Sequence, residues 1–180
     1  MKFISTNISG LLIIEPKIYE DSRGYFFESF QKDIFKNQGI DVDFIQDNQS
    51  LSHKGALRGL HFQNPPYAQG KLVRVIKGAV LDVVLDIRKD SATYGQHFSI
   101  ELTEQNNLML WIPEGFAHGF QTLKNDTVFF YKCSNKYNKE SEGCILWNDE
   151  TLAIPWVNIP AIISEKDQQG ASFKEFKSHF

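Results

Sequence analysis

Three basic side chains of different chemistry occur within residues 56–78, ALRGLHFQNPPYAQGKLVRVIKG: Arg58, His61 and Lys71. An arginine suits bidentate phosphate contacts, a lysine is a compact positive charge, and a neutral imidazole accepts a proton near physiological pH. The neighbouring residues are apolar ones typical of a buried strand. The segment is therefore compatible with a metal centre, a patch for an acidic polymer, or an anion-binding pocket with a proton-transfer base.

A metal centre needs three or four protein ligands in one place. The motif PEGFAH, residues 113–118, is similar to the second motif of metal-binding cupin barrels. The first motif of those barrels supplies a His-x-His pair, whereas this chain has His61 with Gln63. Polar, turn-like or terminal contexts surround the remaining histidines, His53, His97 and His179. We therefore expect a cupin-type barrel that binds no catalytic metal.

The overall charge argues against a polymer-binding patch. Lys and Arg total 19 against 22 Asp and Glu, which gives a formal net charge of −3. Positive charge is thus local, and we expect no nucleic-acid partner. The length of 180 residues, with 42% hydrophobic and 23% charged residues, fits one domain spanning residues 1–180.

The cysteine content and the apolar runs bear on the compartment. The two cysteines, Cys133 and Cys144, have no CxxC spacing, which is typical of a reducing compartment. The first apolar run, LLII before Glu15, is too short for a signal peptide, and no run approaches the ~18 apolar residues of a membrane span. These features predict a cytoplasmic protein that does not contact membranes.

Short apolar runs separated by turn residues predict an all-β fold. GLLIIEP and GYFFESF are predicted strands on either side of a polar turn, YEDSRG, and further candidates are QHFSIEL, NLMLWIP, GFQTL, TVFFYKCS and GCILWN. FQKDIFKNQGI is a helix candidate with Ile34 and Phe35 on one face and Gly39 as a stop signal, and Ser164 is a candidate N-cap for a helical tail. The spacing favours an antiparallel sandwich or barrel with a few short peripheral helices.

The clearest period-two alternation runs from residue 71 to residue 87 and predicts a hairpin that turns at KG. On the first strand Lys71 shares a face with Val73 and Val75, which under strict alternation points its ammonium inward. An inward charge needs a partner or a ligand, and the alternative is a lysine on the solvent face. On the second strand we expect a core face with Leu81, Val83, Leu85 and Ile87, and a polar face with Asp82 and Asp86.

Two further positions leave alternatives open. Strict alternation puts Arg58 and His61 on opposite faces, although Gly59 between them could mark a bulge that re-aims one of them. Tyr131 is either a phenolic acid or a core aromatic residue with a hydrogen-bonded hydroxyl. Taken together, the basic groups, the imidazole and the phenol suit an anionic substrate and proton transfer beside a carbonyl.

Many motifs, in the same order, resemble those of the dTDP-4-dehydrorhamnose 3,5-epimerase family. They cover nearly the whole chain: DSRGYFFE, QDNQS, LRGLHFQ, AQGKLVRVIKGAVLDVVLDIRKDSATYG, WIPEGFAHGF, FFYKCSNKY, ILWND, IPW and SEKD. The resemblance implies a cupin-type jelly roll without metal or cofactor. It also implies an isomerase that converts dTDP-4-dehydro-6-deoxy-D-glucose to dTDP-4-dehydro-L-rhamnose, a step in dTDP-L-rhamnose biosynthesis.

The resemblance also implies roles for individual residues. His61 corresponds to the base, Asp167 to the carboxylate that orients it, and Tyr131 to the acid on the other side of the sugar ring. Lys71 corresponds to a positive charge beside the C4 oxygen, where the enolate develops. The implied substrate-binding positions are Arg23, Phe26, Glu28, Gln46, Asn48, Arg58, Lys71, His118, Tyr137, Glu142 and Lys166.

In this family the N-terminal strands cross to a partner subunit. The resemblance therefore implies a homodimer in which Arg23, Phe26 and Glu28 serve the neighbouring site.

Departures from the family pattern occur at Lys136, Gly143 and Cys144, and the usual basic residue after Asp167 is missing. They leave the implied catalytic groups in place but bear on substrate preference. A 3-epimerase, a 5-epimerase or a ketoisomerase for a related nucleotide-linked 4-keto sugar is one alternative. A non-catalytic sugar-binding jelly roll is another.

Overall fold

Apolar residues at every second position form strands along most of the chain. The computed structural model describes residues 1–180 and contains fourteen strands. The strands are β1 (Lys2–Ser5), β2 (Leu12–Glu15), β3 (Tyr19–Asp21), β4 (Gly24–Phe26), β5 (Gln46–Ser52), β6 (Ala56–Gln63), β7 (Lys71–Lys77), β8 (Ala79–Asp86), β9 (His97–Thr103), β10 (Met109–Ile112), β11 (Phe116–Thr122), β12 (Thr127–Cys133), β13 (Glu142–Cys144) and β14 (Ile162–Ile163). The helices are α1 (Lys32–Lys36), α2 (Glu165–Gln168) and a single 3₁₀ turn (Lys139–Ser141).

Two large sheets face each other. The first has the strand order β1-β2-β10-β7-β12-β5, and the second has the order β13-β6-β11-β8-β9 with β14 parallel to β6. Strands β3 and β4 form a separate hairpin. The main core lies between the sheets and includes Val73, Leu110 and Phe129 from the first and Val80, Val84 and Phe120 from the second. The predicted all-β sandwich with a few short helices is confirmed.

The predicted hairpin between residues 71 and 87 is wrong. Strand β7 pairs with β10 and β12 in the first sheet, whereas β8 pairs with β9 and β11 in the second. The KG turn therefore carries the chain from one sheet to the other. Gly78 has a φ of +87° there, and a Cβ at this position would lie 2.3 Å from Thr127 Oγ1. The alternation of apolar and polar residues predicts which face of a strand is buried, but it does not predict which other strand pairs with that strand.

The predicted polar face of β8 is also wrong, because Asp82 and Asp86 are fully buried. Their face, which carries Val80 and Val84, points into the core between the sheets. The opposite face is covered by the C-terminal segment, which packs Phe173, Phe176 and Phe180 against Val83, Leu85 and Ile87. Asp86 is compensated by hydrogen bonds from Arg88, Ser91 and Thr93.

The remaining local predictions agree with the structure in part. Helix α1 forms as expected, with Phe35 buried and Gly39 at a φ of +83° after its end. Ser164 caps α2 as expected, but the helix ends at Gln168 and the rest of the tail is irregular. The segment YEDSRG, predicted as a turn, contains strand β3. No helix in the structure is long and apolar enough to span a membrane.

Candidate active site

A bulge in β6 brings Arg58 and His61 to the same side of the sheet. In the pairing with β11, His118 lies opposite His61 and Phe120 lies opposite Arg58, so β6 has one residue more than its partner over this stretch. The extra residue is accommodated at Gly59, which has a φ of +130°. A Cβ at this position would lie 2.5 Å from a backbone atom of β11, which glycine alone avoids. The predicted bulge is confirmed.

A cavity of about 580 Å³ opens between the two sheets. The second sheet contributes His61 and His118 to its wall, and the first sheet contributes Lys71 and Tyr131. The predicted site residues that line it are Asn48, Arg58, His61, Lys71, His118, Tyr131, Lys166 and Asp167. The cavity thus brings together all four implied catalytic residues and part of the implied binding set.

His61 is paired with a buried carboxylate. Its Nε2 lies 2.7 Å from Oδ1 of Asp167, and the backbone N–H of Gly59 donates to Oδ2 of the same carboxylate at 3.2 Å. When Nε2 carries the proton that bonds to Asp167, Nδ1 is left free to accept a proton. Ser164 is the N-cap of α2, and its hydroxyl accepts a hydrogen bond from Asp167 N at 3.1 Å. The pair is therefore arranged as a base with an orienting carboxylate.

The environment of Asp167 keeps this carboxylate charged. Burial raises its pKa, but the hydrogen bond and charge of His61, together with the bond from Gly59, outweigh burial and hold the pKa below its usual value. A charged Asp167 stabilises a protonated imidazole on His61. The protonated imidazole is the form of His61 that results when it acts as a general base and takes a proton.

A second carboxylate–histidine pair lies at the wall of the cavity, which His118 lines. His118 Nε2 is 2.9 Å from Oδ2 of Asp82, whose Oδ1 has no hydrogen-bond partner. Both residues are buried. Sequence reasoning missed Asp82 by assigning it to a polar surface. The available signal is its place between Val80 and Val84, since a lone carboxylate on a β-branched face needs a specific partner.

Lys71 points into the cavity from the same face of β7 as Val73 and Val75, so the inward orientation is confirmed. Burial lowers the pKa of its ammonium group, while Cys133, Asp82 and Glu142 oppose the shift. A lysine held in a protein wall interacts strongly with any negative charge that develops in the cavity. Lys71 is thus suited to stabilise an oxyanion.

Tyr131 lines the cavity from β12. Burial is the largest cause that raises the pKa of its phenol, with Cys133 adding to it and Arg58 opposing it. The phenol therefore carries its proton at neutral pH. A protonated phenol facing a reaction cavity has the properties of a general acid.

The side of the cavity that faces solvent carries groups for an anionic ligand. Arg58 is exposed there, and its Nε and Nη2 both donate to Ser52 Oγ at 3.3 Å. Nearby, Gln46 donates to Asn48 Oδ1 at 3.1 Å and accepts from the backbone N–H of Tyr137 at 2.8 Å. Because Gln46 and Asn48 are already fixed by these contacts, their polar atoms form a prepared surface next to the cavity.

A charged cluster stands at the rim. Lys166 Nζ lies 2.5 Å from Glu142 Oε2, and the hydroxyl of Tyr137 donates to the same oxygen at 2.9 Å. Burial raises the pKa of Glu142, but Lys166 and Tyr137 outweigh it and keep the pKa low. Burial lowers the pKa of Lys166, but the hydrogen bond and the charge of Glu142 outweigh burial and raise it. These three predicted binding residues therefore form one ion-paired unit beside His61.

Three predicted binding residues lie elsewhere. Arg23 and Phe26 belong to the β3–β4 hairpin, Glu28 follows it, and none of them lines the cavity. Arg23 is paired with Asp21, with Nη2 2.6 Å from Oδ2, and Phe26 is 66% exposed. The hairpin forms a small concave surface of its own, lined by Tyr19, Glu20, Asp21, Arg23, Gly24, Tyr25 and Phe26.

One group of three potential metal ligands occurs in the structure, formed by His61, Cys144 and Asp167. The cupin-like motif does not contribute to it, because His118 is paired with Asp82 instead. Sequence reasoning noted Cys144 as a departure from the family pattern without giving it a role. No local signal places Cys144 near Asp167, since only the folded chain brings the two together.

Comparisons with known proteins agree on one family. The family model for dTDP-4-dehydrorhamnose 3,5-epimerase matches residues 5–175. A dTDP-4-dehydrorhamnose 3,5-epimerase of Shigella flexneri is 49% identical over 174 residues, which are 96% of each chain. The crystal structure of the dTDP-4-dehydrorhamnose 3,5-epimerase of Elizabethkingia anophelis matches with a TM-score of 0.92 and 46% identity over 97% of both chains.

A second solved structure contains a sugar nucleotide. It is the dTDP-6-deoxy-D-glucose-3,5-epimerase of Legionella pneumophila in complex with dTDP-4-keto-L-rhamnose. It matches with a TM-score of 0.94 and 46% identity, over 98% of this chain and 94% of that one. The likeness therefore extends over nearly the whole chain in both sequence and structure.

Proposed function

The chain belongs to the dTDP-4-dehydrorhamnose 3,5-epimerase family, and we propose that His61 and Tyr131 carry out its reaction as base and acid. It is an isomerase that acts at C3 and C5 of dTDP-4-dehydro-6-deoxy-D-glucose in dTDP-L-rhamnose biosynthesis. Its two-sheet sandwich is the cupin-type jelly roll of that family.

One observation carries the assignment of base and acid. His61 lies on the second sheet and Tyr131 on the first, and both line the same cavity. In the proposed arrangement a sugar ring bound between the sheets would have one face toward His61 and the other toward Tyr131. A proton removed from one face and replaced from the other inverts the carbon, which is what epimerisation requires.

The base and its surroundings account for proton removal. The C4 ketone of the substrate acidifies the protons on C3 and C5, so a neutral imidazole is a sufficient base. Asp167 stabilises the imidazolium that results. The electron pair moves onto the C4 oxygen, where Lys71 and His118 supply positive charge or a hydrogen bond. The reaction then needs no metal or cofactor in any step.

The polar groups around the cavity fit the rest of a dTDP-linked substrate. Arg58 lies where it can contact the diphosphate, since a guanidinium matches phosphate oxygens. Gln46 and Asn48 are fixed beside Tyr137, whose exposed ring offers a stacking surface for the thymine base. Glu142 contacts Tyr137, and Lys166 is next to Asp167 in the chain. We therefore assign these two residues to the sugar and the phosphates.

The hairpin residues fit a homodimer in which each subunit completes the site of the other. Arg23, Phe26 and Glu28 lie outside the cavity of their own chain. Phe26 and Tyr25 are 66% and 58% exposed, a large apolar surface for a two-stranded hairpin in solvent. Insertion beside a partner's cavity would cover these rings and add a second arginine for the diphosphate.

Hydrogen exchange at the sugar tests the proposed base. Wild-type protein incubated with dTDP-4-keto-6-deoxyglucose in D₂O should introduce deuterium at C3 and C5, measured by NMR. The His61→Ala variant should introduce none, while its affinity for dTDP, measured by calorimetry, should stay within about threefold of wild type because the proposed arrangement places His61 at the sugar and not at the nucleotide.

The outcomes separate the alternatives. Deuterium at one carbon alone would assign the wild-type protein to a 3-epimerase or a 5-epimerase. Exchange that survives in the His61→Ala variant would show that another group is the base. Absence of exchange in the wild-type protein, with dTDP binding intact, would fit a binding protein instead.

A further inference from the structure

Cys144 lies directly beside the catalytic pair. Strand β13 pairs with β6 so that Cys144 is opposite His61. A nitrogen of His61, the sulfur of Cys144 and a carboxylate oxygen of Asp167 all lie within 4.8 Å of one another. Imidazole, thiolate and carboxylate are the three ligand classes of Zn²⁺ in proteins. We propose that these residues form a Zn²⁺ site whose occupation blocks the base.

The distances fit a metal ion after small movements of side chains. Ligand atoms around a tetrahedral Zn²⁺ ion are about 3.3–3.7 Å apart, given bond lengths near 2.0–2.3 Å. Separations of up to 4.8 Å would shorten, and the 2.7 Å between His61 and Asp167 would lengthen. The sulfur of Cys144 is held only by a weak contact of 3.6 Å with the carbonyl oxygen of Ile145. Rotation of the thiol toward the pair therefore breaks no strong interaction.

The cavity supplies access and a free coordination position. His61 and Asp167 both line it, so an ion can enter by the path that the substrate would use. Three protein ligands leave the fourth position to water, as in open zinc sites. Substrate and metal would then compete for the same space.

The number of ligands predicts a moderate affinity. Burial and the charge of Asp167 raise the pKa of the Cys144 thiol to about 12. Binding of Zn²⁺ must release that proton to water before the thiolate can coordinate. The group offers three protein ligands, one fewer than a structural zinc site. We therefore expect a reversible inhibitory site that binds more weakly than a structural zinc site.

Occupation of the site would remove the base. A Zn²⁺ ion bound to His61 Nε2 and to Asp167 leaves the ring proton on Nδ1, so Nδ1 can no longer accept the substrate proton. The ion also occupies the carboxylate that would stabilise the imidazolium. The loss of activity rests on the proposed function of His61, whereas the binding of the ion does not. The two can therefore be measured separately.

Binding is tested on the full-length protein after removal of metals with EDTA and dialysis. Calorimetry with ZnCl₂ should give one site per chain, and CoCl₂ should produce a thiolate-to-cobalt absorption band. The Cys144→Ala variant should weaken Zn²⁺ binding by at least about tenfold and lose the band. The Cys133→Ala variant, which removes the other thiol, should keep both. No specific binding, or binding and a band that survive in Cys144→Ala, would overturn the site.

Inhibition is tested by the rate of deuterium exchange at the sugar. Zn²⁺ should stop exchange in the wild-type protein, EDTA should restore it, and the Cys144→Ala variant should remain active at the same Zn²⁺ concentration. Equal sensitivity of the two proteins would overturn the inhibitory role of the site. Full activity with the ion bound, shown by the cobalt band, would instead contradict His61 as the base and so the proposed function.

Discussion

At the scale of single residues, two similar carboxylate–histidine pairs differ in what surrounds them. The side chain of His61 is 29% exposed and faces the cavity, whereas that of His118 is 7% exposed and lies against Phe129. A general base must have a free lone pair and must contact the substrate, which favours His61. A buried imidazole with a fixed carboxylate is better suited to hold a hydrogen bond at one atom, which fits a role for His118 at the C4 oxygen.

Removal of the Tyr131 hydroxyl tests the acid. In Tyr131→Phe we expect epimerised product to form about 10²–10⁴-fold more slowly, the usual contribution of a positioned acid. Deuterium exchange next to C4 should continue, because His61 can return a proton to the face from which it took it. Product is measured by chromatography and exchange by NMR.

Tyr94→Phe is the matched control, since Tyr94 packs against Phe173 away from the cavity. It should leave both rates unchanged. Epimerisation at the wild-type rate in Tyr131→Phe would assign the acid to another group.

At the scale of elements, the Gly59 bulge sets the geometry of β6. It places Arg58 and His61 on one side of the strand, and its backbone N–H donates to Asp167 on α2. Strand β14 pairs with the start of β6 and leads directly into α2. The strand that carries the proposed base therefore also positions the helix that carries its carboxylate.

Substitution of Gly59 by alanine tests the importance of this bulge. A Cβ there would lie 2.5 Å from a backbone atom of β11 at a φ of +130°, so the strands must separate. We expect the free energy of unfolding to fall by about 2–4 kcal/mol, from overpacking and backbone strain together. Urea unfolding followed by fluorescence measures the change, and catalytic activity should fall with it.

Gly39→Ala provides the comparison. Gly39 has a φ of +83° but no atom within 4 Å of a Cβ, so this variant carries the backbone cost alone, about 1 kcal/mol. If both variants lose the same stability, the close approach between β6 and β11 does not constrain the site.

At the scale of the whole molecule, the cavity is a property of both sheets, since neither sheet alone contains the proposed base, acid and oxyanion groups together. The N-terminal hairpin is the part that the chain leaves unused at its own site. In the proposed dimer its apolar surface and its arginine would serve the site of the second subunit. The position of the hairpin therefore supports the proposed dimer, as does the family pattern.

Mixed dimers test whether the hairpin serves the partner. Arg23→Ala and His61→Ala carry different affinity tags, are produced together, and the heterodimer is isolated on both tags. If Arg23 acts in trans, one of the two sites is intact and activity should recover to about half of wild type. The two parent homodimers should both be strongly impaired.

The opposite arrangement gives a different result. If Arg23 serves its own chain, each site of the heterodimer lacks one residue and no activity recovers. If no heterodimer can be isolated, the homodimer itself is contradicted.

The sequence by itself determined which residues bear chemistry and which way several of them point. Alternation predicted the inward Lys71, because a strand buried on one face repeats every two residues. Gly59 predicted the bulge, since a glycine within a strand marks a bulge or a close approach of backbone. The cap at Ser164 was likewise visible, because an N-cap is a local hydrogen bond.

Only the tertiary structure decided which elements meet. Strands β7 and β8 follow each other in sequence but join different sheets. Asp82 is buried and is paired with His118, which lies 36 residues away in the chain. His61 and Asp167 are 106 residues apart, and Cys144 joins them through the pairing of β13 with β6. Local sequence patterns indicate which side of each segment is exposed to solvent. These long-range contacts depend on loop closure and on packing of the whole chain, which local patterns do not contain.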